Sequence, residues 1–310
     1  MYNKVLLKYV PHGSSTKYFY PITSDSPDWE DYSKFKEEFK TKHDVDFIVL
    51  YNSRNIRRKS PSDIILSFRR FCDGLSKEKA KKCCLLMKTA IVDENGTDLM
   101  FVKRTICPDY KVVFVQDAVP TQQMNWMYNI SDLVFFMSSA EGFGLAANEG
   151  IMVGKMLVAP VTGGLQDQMR FEDENGDWIK LSEDFPTNHR GKYKKCGVWA
   201  VPLFPSARVL NGSIPTPAIF DDFVDSEDAA IGLRFVYDLG EDERIRRGNI
   251  GREWILSSES GMSSPEMAKN FISGMNELFD TWVPPSTKWE MIEVGDRPKL
   301  DQIGLTWWEN

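Results

Sequence analysis

The chain has 310 residues, and its hydrophobic content of 42%, with 12% aromatic residues, is enough for a sizeable core in one large domain or two smaller ones. A formal net charge of -7 and a pI near 5.2 argue against broad electrostatic binding to nucleic acid or to an acidic membrane surface. No apolar run reaches about 18 residues, so no membrane span is predicted. An anionic ligand would therefore have to be bound by a local cluster of basic residues.

The cysteines and histidines predict neither disulfides nor a metal site. The five cysteines are odd in number, contain no CxxC pair and accompany no secretory signal segment. This usage is typical of a reducing compartment, and we expect a cytoplasmic protein. His12, His43 and His189 show no metal-ligand spacing, so no metal is assigned.

Apolar strands and amphipathic helices alternate through most of the chain. Predicted strands cover residues 5–10, 46–50, 83–87, 112–115, 133–137 and 156–161. Predicted helices cover residues 29–40, 97–105, 121–130 and 225–238, and others begin at Ser60, Leu145 and Ser264. Strands that alternate with helices form parallel sheets, so the predicted fold is α/β, a doubly wound parallel sheet of the Rossmann-like type.

Three segments are predicted along the chain. Residues 1–45 form an entry or crossover segment, because residues 21–27 are irregular and only residues 29–40 look helical. Residues 46–280 form the main domain, with an irregular insertion at about 170–220 in which only a short strand at 198–201 is predicted. Residues 281–310 form an aromatic tail that we expect to pack on another surface, because it contains residues such as Trp307 and Trp308.

A strand, a glycine-bearing loop and a helix follow one another in LVFFMSSAEGFGLAANEG, residues 133–150. The loop contains Glu141, Gly142 and Gly144, and the helix is predicted to end by Gly154, a residue suited to helix termination. Polar residues thus gather where the strand ends. That edge of an α/β sheet is where ligands bind, and free N–H groups at a helix start suit a phosphate or a sugar hydroxyl.

A basic loop, SRNIRRK at residues 53–59, follows the strand at 46–50. Four of its residues are Arg or Lys, although the chain as a whole is acidic. Either the loop binds an anionic ligand through Arg54 and Lys59, or it is an ordinary solvated surface loop. Arg57 and Arg58 are predicted to be surface residues, and Arg58 is the substitute if Lys59 points away.

Several motifs in this order resemble one known family. They are the pattern Arg54-x4-Lys59, the segment YNISD at 128–132, and Glu141-Gly-Phe-Gly-Leu with Glu149 eight positions after Glu141. Together they resemble the nucleotide-sugar-binding half of retaining family-four glycosyltransferases with the GT-B fold. The loop TGGLQD at 162–167 also resembles the corresponding loop of starch and glycogen synthases. The resemblance spans about residues 46–170 and implies the C-terminal half of a GT-B fold.

The resemblance implies roles for four charged residues. Arg54 and Lys59 would bind the diphosphate of a nucleotide sugar and neutralise the leaving group. Glu149 would accept hydrogen bonds from the ribose hydroxyls, and Glu141 would approach the donor sugar. The alternative for both glutamates is a place near the helix start that the helix dipole favours.

The resemblance also implies that main-chain groups contact the donor. Backbone N–H groups facing the sugar or the phosphates would come from Gly142, Phe143, Gly144 and Leu145. Gly163 would line the sugar pocket, although a plain turn there is the alternative. Gln116 and Asp117 occupy the place where members of the family contact the base, mostly through the backbone.

The implied function is that of a retaining glycosyltransferase, or its donor-binding half, which transfers a sugar from a GDP- or UDP-sugar to an unknown acceptor. The enzyme would be a metal-independent, hexosyltransferase-like protein without a cofactor. About 45 residues precede the first main strand, too few for the acceptor domain usual in the family. We therefore expect half of a split enzyme, a fragment, or a subunit completed by another chain or a second copy. The alternatives are a non-catalytic nucleotide-sugar-binding or scaffold subunit and, on the same fold, an epimerase or phosphorylase.

Overall fold

Six parallel strands form the main sheet in a computed structural model of the protein, which describes residues 7–180, 188–212, 214 and 216–282. The strands are β1 (Phe47–Asn52), β2 (Cys83–Lys88), β3 (Lys111–Val115), β4 (Leu133–Phe135), β5 (Met156–Pro160) and β6 (Ala200–Leu203). Their order in the sheet is β3-β2-β1-β4-β5-β6, and every neighbouring pair is parallel. The chain therefore has the doubly wound strand order in which the direction of winding reverses between β1 and β4.

Helices cover both faces of this sheet. They are α1 (Trp29–His43), α2 (Pro61–Asp73), α3 (Lys77–Lys81), α4 (Leu99–Ile106), α5 (Thr121–Ile130), α6 (Leu145–Met152), α7 (Gly164–Gln168), α8 (Ser226–Asp238), α9 (Glu241–Leu256) and α10 (Ser264–Thr281). Alternate residues of β1 enter two separate hydrophobic clusters, with Ile48 and Leu50 in one and Val49 and Tyr51 in the other. Burial on both faces explains why β1 reads as a continuous apolar run. The predicted α/β, doubly wound sheet is confirmed.

The strand predicted at residues 5–10 is wrong for residues 7–10, which form no strand, and residues 5 and 6 lie outside the described residues. The segment instead passes along the backbone near the start of α10. Ser14 forms an isolated bridge with Ser263, and a Cβ added to Gly13 would lie 2.3 Å from the Ser263 carbonyl carbon. A contact of this kind between distant segments leaves no periodic signal in the sequence.

The insertion predicted at about 170–220 contains more regular structure than expected. The short strand predicted at 198–201 is β6, and it adds a sixth strand to the sheet. A two-stranded antiparallel hairpin follows, formed by β7 (Ala207–Leu210) and β8 (Phe220–Phe223). Helix α9 was also not predicted, because its sequence shows little apolar periodicity. Many of its residues are charged and pair along the helix, as Glu243 does with Arg246 and Arg247.

Contacts divide the chain into two units at Ile272, and the sheet and the site described below belong to the first unit. The predicted domain limits at 45 and 280 stay predictions, and Trp307 and Trp308 lie outside the described residues. All five cysteines are unpaired. None of the helices in the described ranges combines the length and the apolar character needed to cross a membrane.

Candidate functional site

A cavity of about 710 Å³ opens at the carboxyl edge of the sheet, at the switch point between β1 and β4. The loop after β1, residues 53–60, and the loop after β4, residues 136–144, contribute its walls. Seven of the predicted site residues line it: Lys59, Glu141, Gly142, Phe143, Gly144, Leu145 and Glu149. The fold thus brings together residues that are up to 90 positions apart in the chain, from Lys59 to Glu149.

Lys59 and Glu141 form an ion pair at the cavity wall. The Lys59 Nζ donates to Glu141 Oε2, and the two side chains are only 12% and 11% exposed. Lys59 ends a single 3-10 turn, Arg57–Lys59, and the next residue, Ser60, has a left-handed backbone with φ of 46°. Burial lowers the pKa of Lys59, whereas the Glu141 carboxylate raises it. The pair therefore places a cation beside the cavity together with a carboxylate that orients it.

Glu149 faces the same cavity from the second turn of α6. Its Oε2 accepts a hydrogen bond of 2.7 Å from the hydroxyl of Tyr128, which in turn accepts one of 2.9 Å from Asn52 Nδ2. Tyr128 is fully buried. Burial raises the pKa of Glu149 to about 7, although the Tyr128 hydrogen bond opposes that shift. Near neutral pH this carboxyl group can therefore change its charge, which is unusual for a glutamate.

The loops after β4 and β5 pack backbone against backbone beneath the cavity. Gly163 has φ of 49°, and a Cβ added there would lie 1.8 Å from the carbonyl oxygen of Glu141. Gly164 N donates to the same oxygen at 3.1 Å. Gly144 precedes α6 with φ of 89°. The positive φ angles at positions 144 and 163, and the close approach to the Glu141 carbonyl at position 163, therefore favour glycine at both positions.

We expect Gly163→Ala to lower the free energy of unfolding by about 2 to 4 kcal/mol. The new methyl group would clash with the Glu141 carbonyl, and an alanine is strained at the φ of 49° that position 163 adopts. Gly142→Ala is the matched control, since nothing lies within 4 Å of a Cβ built there. Its stability should stay within about 0.5 kcal/mol of the wild type. Urea unfolding measures both variants, and equal effects would contradict the packing described.

Three predicted site residues lie away from the cavity. Arg54 Nε donates to Asp93 Oδ2 at 3.0 Å, and the Arg54 side chain is 62% exposed. Gln116 Oε1 accepts from Ile91 N, and both Gln116 and Asp117 follow β3, the strand at one edge of the sheet. None of the three lines this cavity or a second cavity of about 470 Å³ beside it. Their proposed roles stay predictions.

Arg58 lies closer to the site than the sequence analysis predicted. Its Nη1 donates to the carbonyl of Ala140 at 2.9 Å and is 3.8 Å from Glu141 Oε2. Its backbone carbonyl accepts from Ser139 N at 2.8 Å, which joins the basic loop to the loop after β4. Arg58 therefore presents a second cation beside Glu141 without displacing Lys59.

A smaller cavity of about 470 Å³ adjoins the first and shares Glu141 and Gly142 with it. Gly163 and Arg58 line this second cavity, and its outer wall is the hairpin of β7 and β8. The hairpin residues Arg208 and Asp222 were not among the predicted site residues. The signal that could have found them is the acidic pair in FDDF, residues 220–223, because adjacent carboxylates inside an apolar strand need specific partners.

Two aromatic contacts of the site were also not predicted. Tyr128 lies in the YNISD segment but was given no role, and its hydroxyl orients Glu149. The ring of His12 meets the edge of Phe143 at a centroid distance of 5.5 Å, and both residues line the larger cavity. Across the described ranges, no group of three His, Cys, Asp or Glu side chains has an arrangement that could hold a metal ion. The prediction that no metal is needed stays a prediction.

The fold and the site together define an α/β protein of the Rossmann-like class, with a cavity lined by polar residues where the strand order of the sheet reverses. No protein-family model and no curated protein sequence matches the chain. Solved structures do match it in fold. A glycosyltransferase from Rickettsia africae has a TM-score of 0.59 and 17% identity, over 88% of this chain and 57% of that chain.

Two synthases give similar values. Sucrose-phosphate synthase from Thermosynechococcus elongatus has a TM-score of 0.56 and 16% identity, over 87% of this chain and 52% of that chain. The α,α-trehalose 6-phosphate synthase from Burkholderia multivorans has a TM-score of 0.56 and 10% identity, over 87% of this chain and 50% of that chain. The chain thus spans about half the length of each of these three structures. At these identities the likeness concerns the fold, which is that of one Rossmann-like half of GT-B proteins.

Proposed function

We propose that the protein is a glycosyltransferase whose described domain binds a nucleoside-diphosphate sugar at the switch point of the sheet. The observation that carries this proposal is the arrangement of Lys59, Glu141 and Glu149 around one cavity at the carboxyl edge of β1 and β4. A cation, two carboxylates and a helix start within one cavity suit a ligand that has both phosphates and hydroxyl groups. The fold shared with the glycosyltransferase and the two synthases supports the same proposal.

In the proposed complex, Lys59 and Arg58 contact the diphosphate, and the first N–H groups of α6 lie near the phosphates. Glu149 accepts hydrogen bonds from the ribose hydroxyls, and Glu141 faces the transferred sugar. When the bond between the anomeric carbon and the phosphate oxygen breaks, negative charge grows on the leaving group. The two cations stabilise that charge, which makes the proposed catalysis electrostatic.

We propose further that the anomeric configuration is retained, with the acceptor oxygen entering on the face from which the diphosphate leaves. Within the proposal, basic side chains replace a metal ion and no cofactor takes part. UDP- and GDP-sugars are the first donors to test. The acceptor side is proposed to come from protein outside the described domain.

Calorimetry with UDP, GDP, ADP and CDP, and with a sugar conjugate of each, tests donor binding. We expect at least one of these ligands to bind, and at a hundred times its dissociation constant it should stabilise the fold by about 2.7 kcal/mol. If no nucleotide binds or stabilises the protein, the proposal is wrong. If a nucleotide sugar binds but is neither hydrolysed nor transferred in any pairing, the protein is a binding subunit and not an enzyme.

The same assay distinguishes Arg58 from Arg54, two of the three arginines in the basic loop. We expect Arg58→Ala to weaken nucleotide binding about tenfold or more, because a charged hydrogen bond to the diphosphate is lost. Arg54→Ala should change it by about twofold at most, because Arg54 is exposed and paired with Asp93. The opposite ranking would assign the diphosphate to Arg54, as the resemblance implies.

A further inference from the structure

The hairpin of β7 and β8 is attached to the two loops that carry the site. Ser139 Oγ donates to Asp221 Oδ1 at 2.9 Å, and Ser139 O accepts from Asp222 N at 2.8 Å. Thr162 Oγ1 donates to Asp222 Oδ2 at 2.9 Å. Ser139 follows β4 and Thr162 follows β5. The hairpin therefore has a defined position relative to Glu141, which lies in the loop after β4.

Three hairpin residues line the smaller cavity from one face of the hairpin. Arg208 pairs with Asp222 in the strand register, and Phe220 lies two residues before Asp222, so all three side chains point to the same side. The Arg208 Cζ lies 4.5 Å from the centroid of the Phe220 ring. The cavity wall thus combines a guanidinium, a carboxylate and an aromatic face.

Arg208 and Asp222 are close to each other but do not form a hydrogen bond. The Arg208 Nε is 3.6 Å from Asp222 Oδ1, and within the described chain neither atom has a hydrogen-bond partner. The Asp222 side chain is only 2% exposed. The two atoms thus face each other as an ion pair, and neither makes, among the described residues, the hydrogen bond that a buried polar atom normally makes. A ligand group that accepts from Nε and donates to Oδ1 would satisfy both.

The chemistry of this wall selects the kind of ligand. A hydroxyl group can accept from Arg208 and donate to Asp222 at the same time, whereas an ionised phosphate or carboxylate group has no proton to donate to the Asp222 carboxylate. The exposed part of Phe220 offers an apolar face to the carbon skeleton of a polyol. These features favour a neutral sugar ring over an anionic group.

We propose that the hairpin forms a sugar subsite beside the donor cavity, in which Asp222 and Arg208 hold one hydroxyl of a sugar ring that packs near Phe220. This inference rests on the proposed function for the origin of the sugar, which is either the transferred sugar of the donor or a sugar of the acceptor. Arg208 and Asp222 would then be specificity residues for that sugar.

Calorimetry with three variants tests the subsite and separates the two origins. The variants are Arg208→Gln, Phe220→Ala and the control Arg246→Gln, whose side chain pairs with Glu243 on the exposed face of α9. If the subsite holds the donor's sugar, Arg208→Gln weakens binding of UDP-glucose or GDP-mannose about tenfold while binding of free UDP or GDP is unchanged. Phe220→Ala should act in the same direction, and because Phe220 is 48% exposed this variant is expected to fold.

Saturation-transfer NMR with free glucose, mannose and galactose, in the presence of UDP or GDP, tests the acceptor arm. If the subsite holds an acceptor sugar, the wild type and Arg246→Gln give a transfer signal, and Arg208→Gln and Phe220→Ala lose it. The proposal is overturned if both hairpin variants match the wild type in both arms, or if the wild type binds no sugar in either. Failure of all nucleotide binding, with a hexose signal that depends on Arg208, would reject the proposed function and leave the subsite standing.

Discussion

Glu149→Gln should make the unliganded protein more stable above pH 7 while weakening its binding of nucleotides. Burial raises the pKa of Glu149 to about 7, from a value of 4.5 for an exposed glutamate. Because the folded-state pKa is the higher one, this carboxyl favours folding fully below pH 4.5, and that contribution is lost as the pH rises to about 7. A glutamine at position 149 can still accept the hydrogen bond from the Tyr128 hydroxyl, but it carries no charge that must be buried.

The expected difference in the free energy of unfolding follows from the shift in the pKa of Glu149. At pH 8 the variant should exceed the wild type by about 2 to 3 kcal/mol in the free energy of unfolding, and at pH 4.5 the two should be equal. Urea unfolding at several pH values measures the difference. Glu227→Gln is the control, because the Glu227 side chain is 74% exposed and should show no such pH dependence.

Nucleotide binding should move in the opposite direction. The ribose hydroxyls donate to the ionised carboxylate, so wild-type affinity should rise as the pH increases through about 7, and Glu149→Gln should bind about tenfold more weakly at pH 8. A variant that is less stable at pH 8 and binds nucleotide normally would show that Glu149 serves the fold alone.

Lys59→Met should cost both stability and activity, and the two losses should be separable. The substitution leaves the Glu141 carboxylate, only 11% exposed, without its closest cation. We expect a loss of about 2 to 3 kcal/mol in the free energy of unfolding, less than for a fully enclosed pair because the cavity admits solvent and Arg58 remains nearby. The rate of sugar transfer should fall at least about 100-fold, because the leaving diphosphate loses a cation.

The double variant Lys59→Met with Glu141→Gln distinguishes the two effects. Removing both charges should restore most of the stability, since no unpaired carboxylate remains. Transfer should stay at the level of the single variant or lower. Lys77→Met, on the exposed surface of α3, is the control for the loss of a lysine. Recovery of transfer in the double variant would exclude an electrostatic role for Lys59.

Local patterns were sufficient for the strands of the main sheet and for the loop that carries Glu141. The apolar runs of β1, β2, β4 and β5 are recognisable because burial on both faces removes polar residues from them. Gly144, in the loop after Glu141, marks a backbone position that disfavours a side chain, because its φ of 89° lies in the left-handed region. These features depend on residues close in sequence, and so the doubly wound fold could be predicted.

Which cation faces the cavity could not be predicted, because it depends on contacts between distant loops. The Arg54 side chain forms an ion pair with Asp93, which lies 39 positions further along the chain, and does not line the cavity. The turn at Arg57–Lys59 and the left-handed Ser60 direct Lys59 to Glu141, 82 positions away. Nothing in the spacing of Arg54 and Lys59 encodes these partners.

The sequence by itself determined the α/β class and the alternation of strands and helices, because both follow from local periodicity, and it placed Lys59 and Glu141 in loops that follow two of the strands. Only the tertiary structure decided the raised pKa of Glu149 and the second wall of the site. The first depends on burial beside Tyr128. The second depends on hydrogen bonds from Ser139 and Thr162 to a hairpin far along the chain. Both arise from long-range packing, which leaves no period in the sequence.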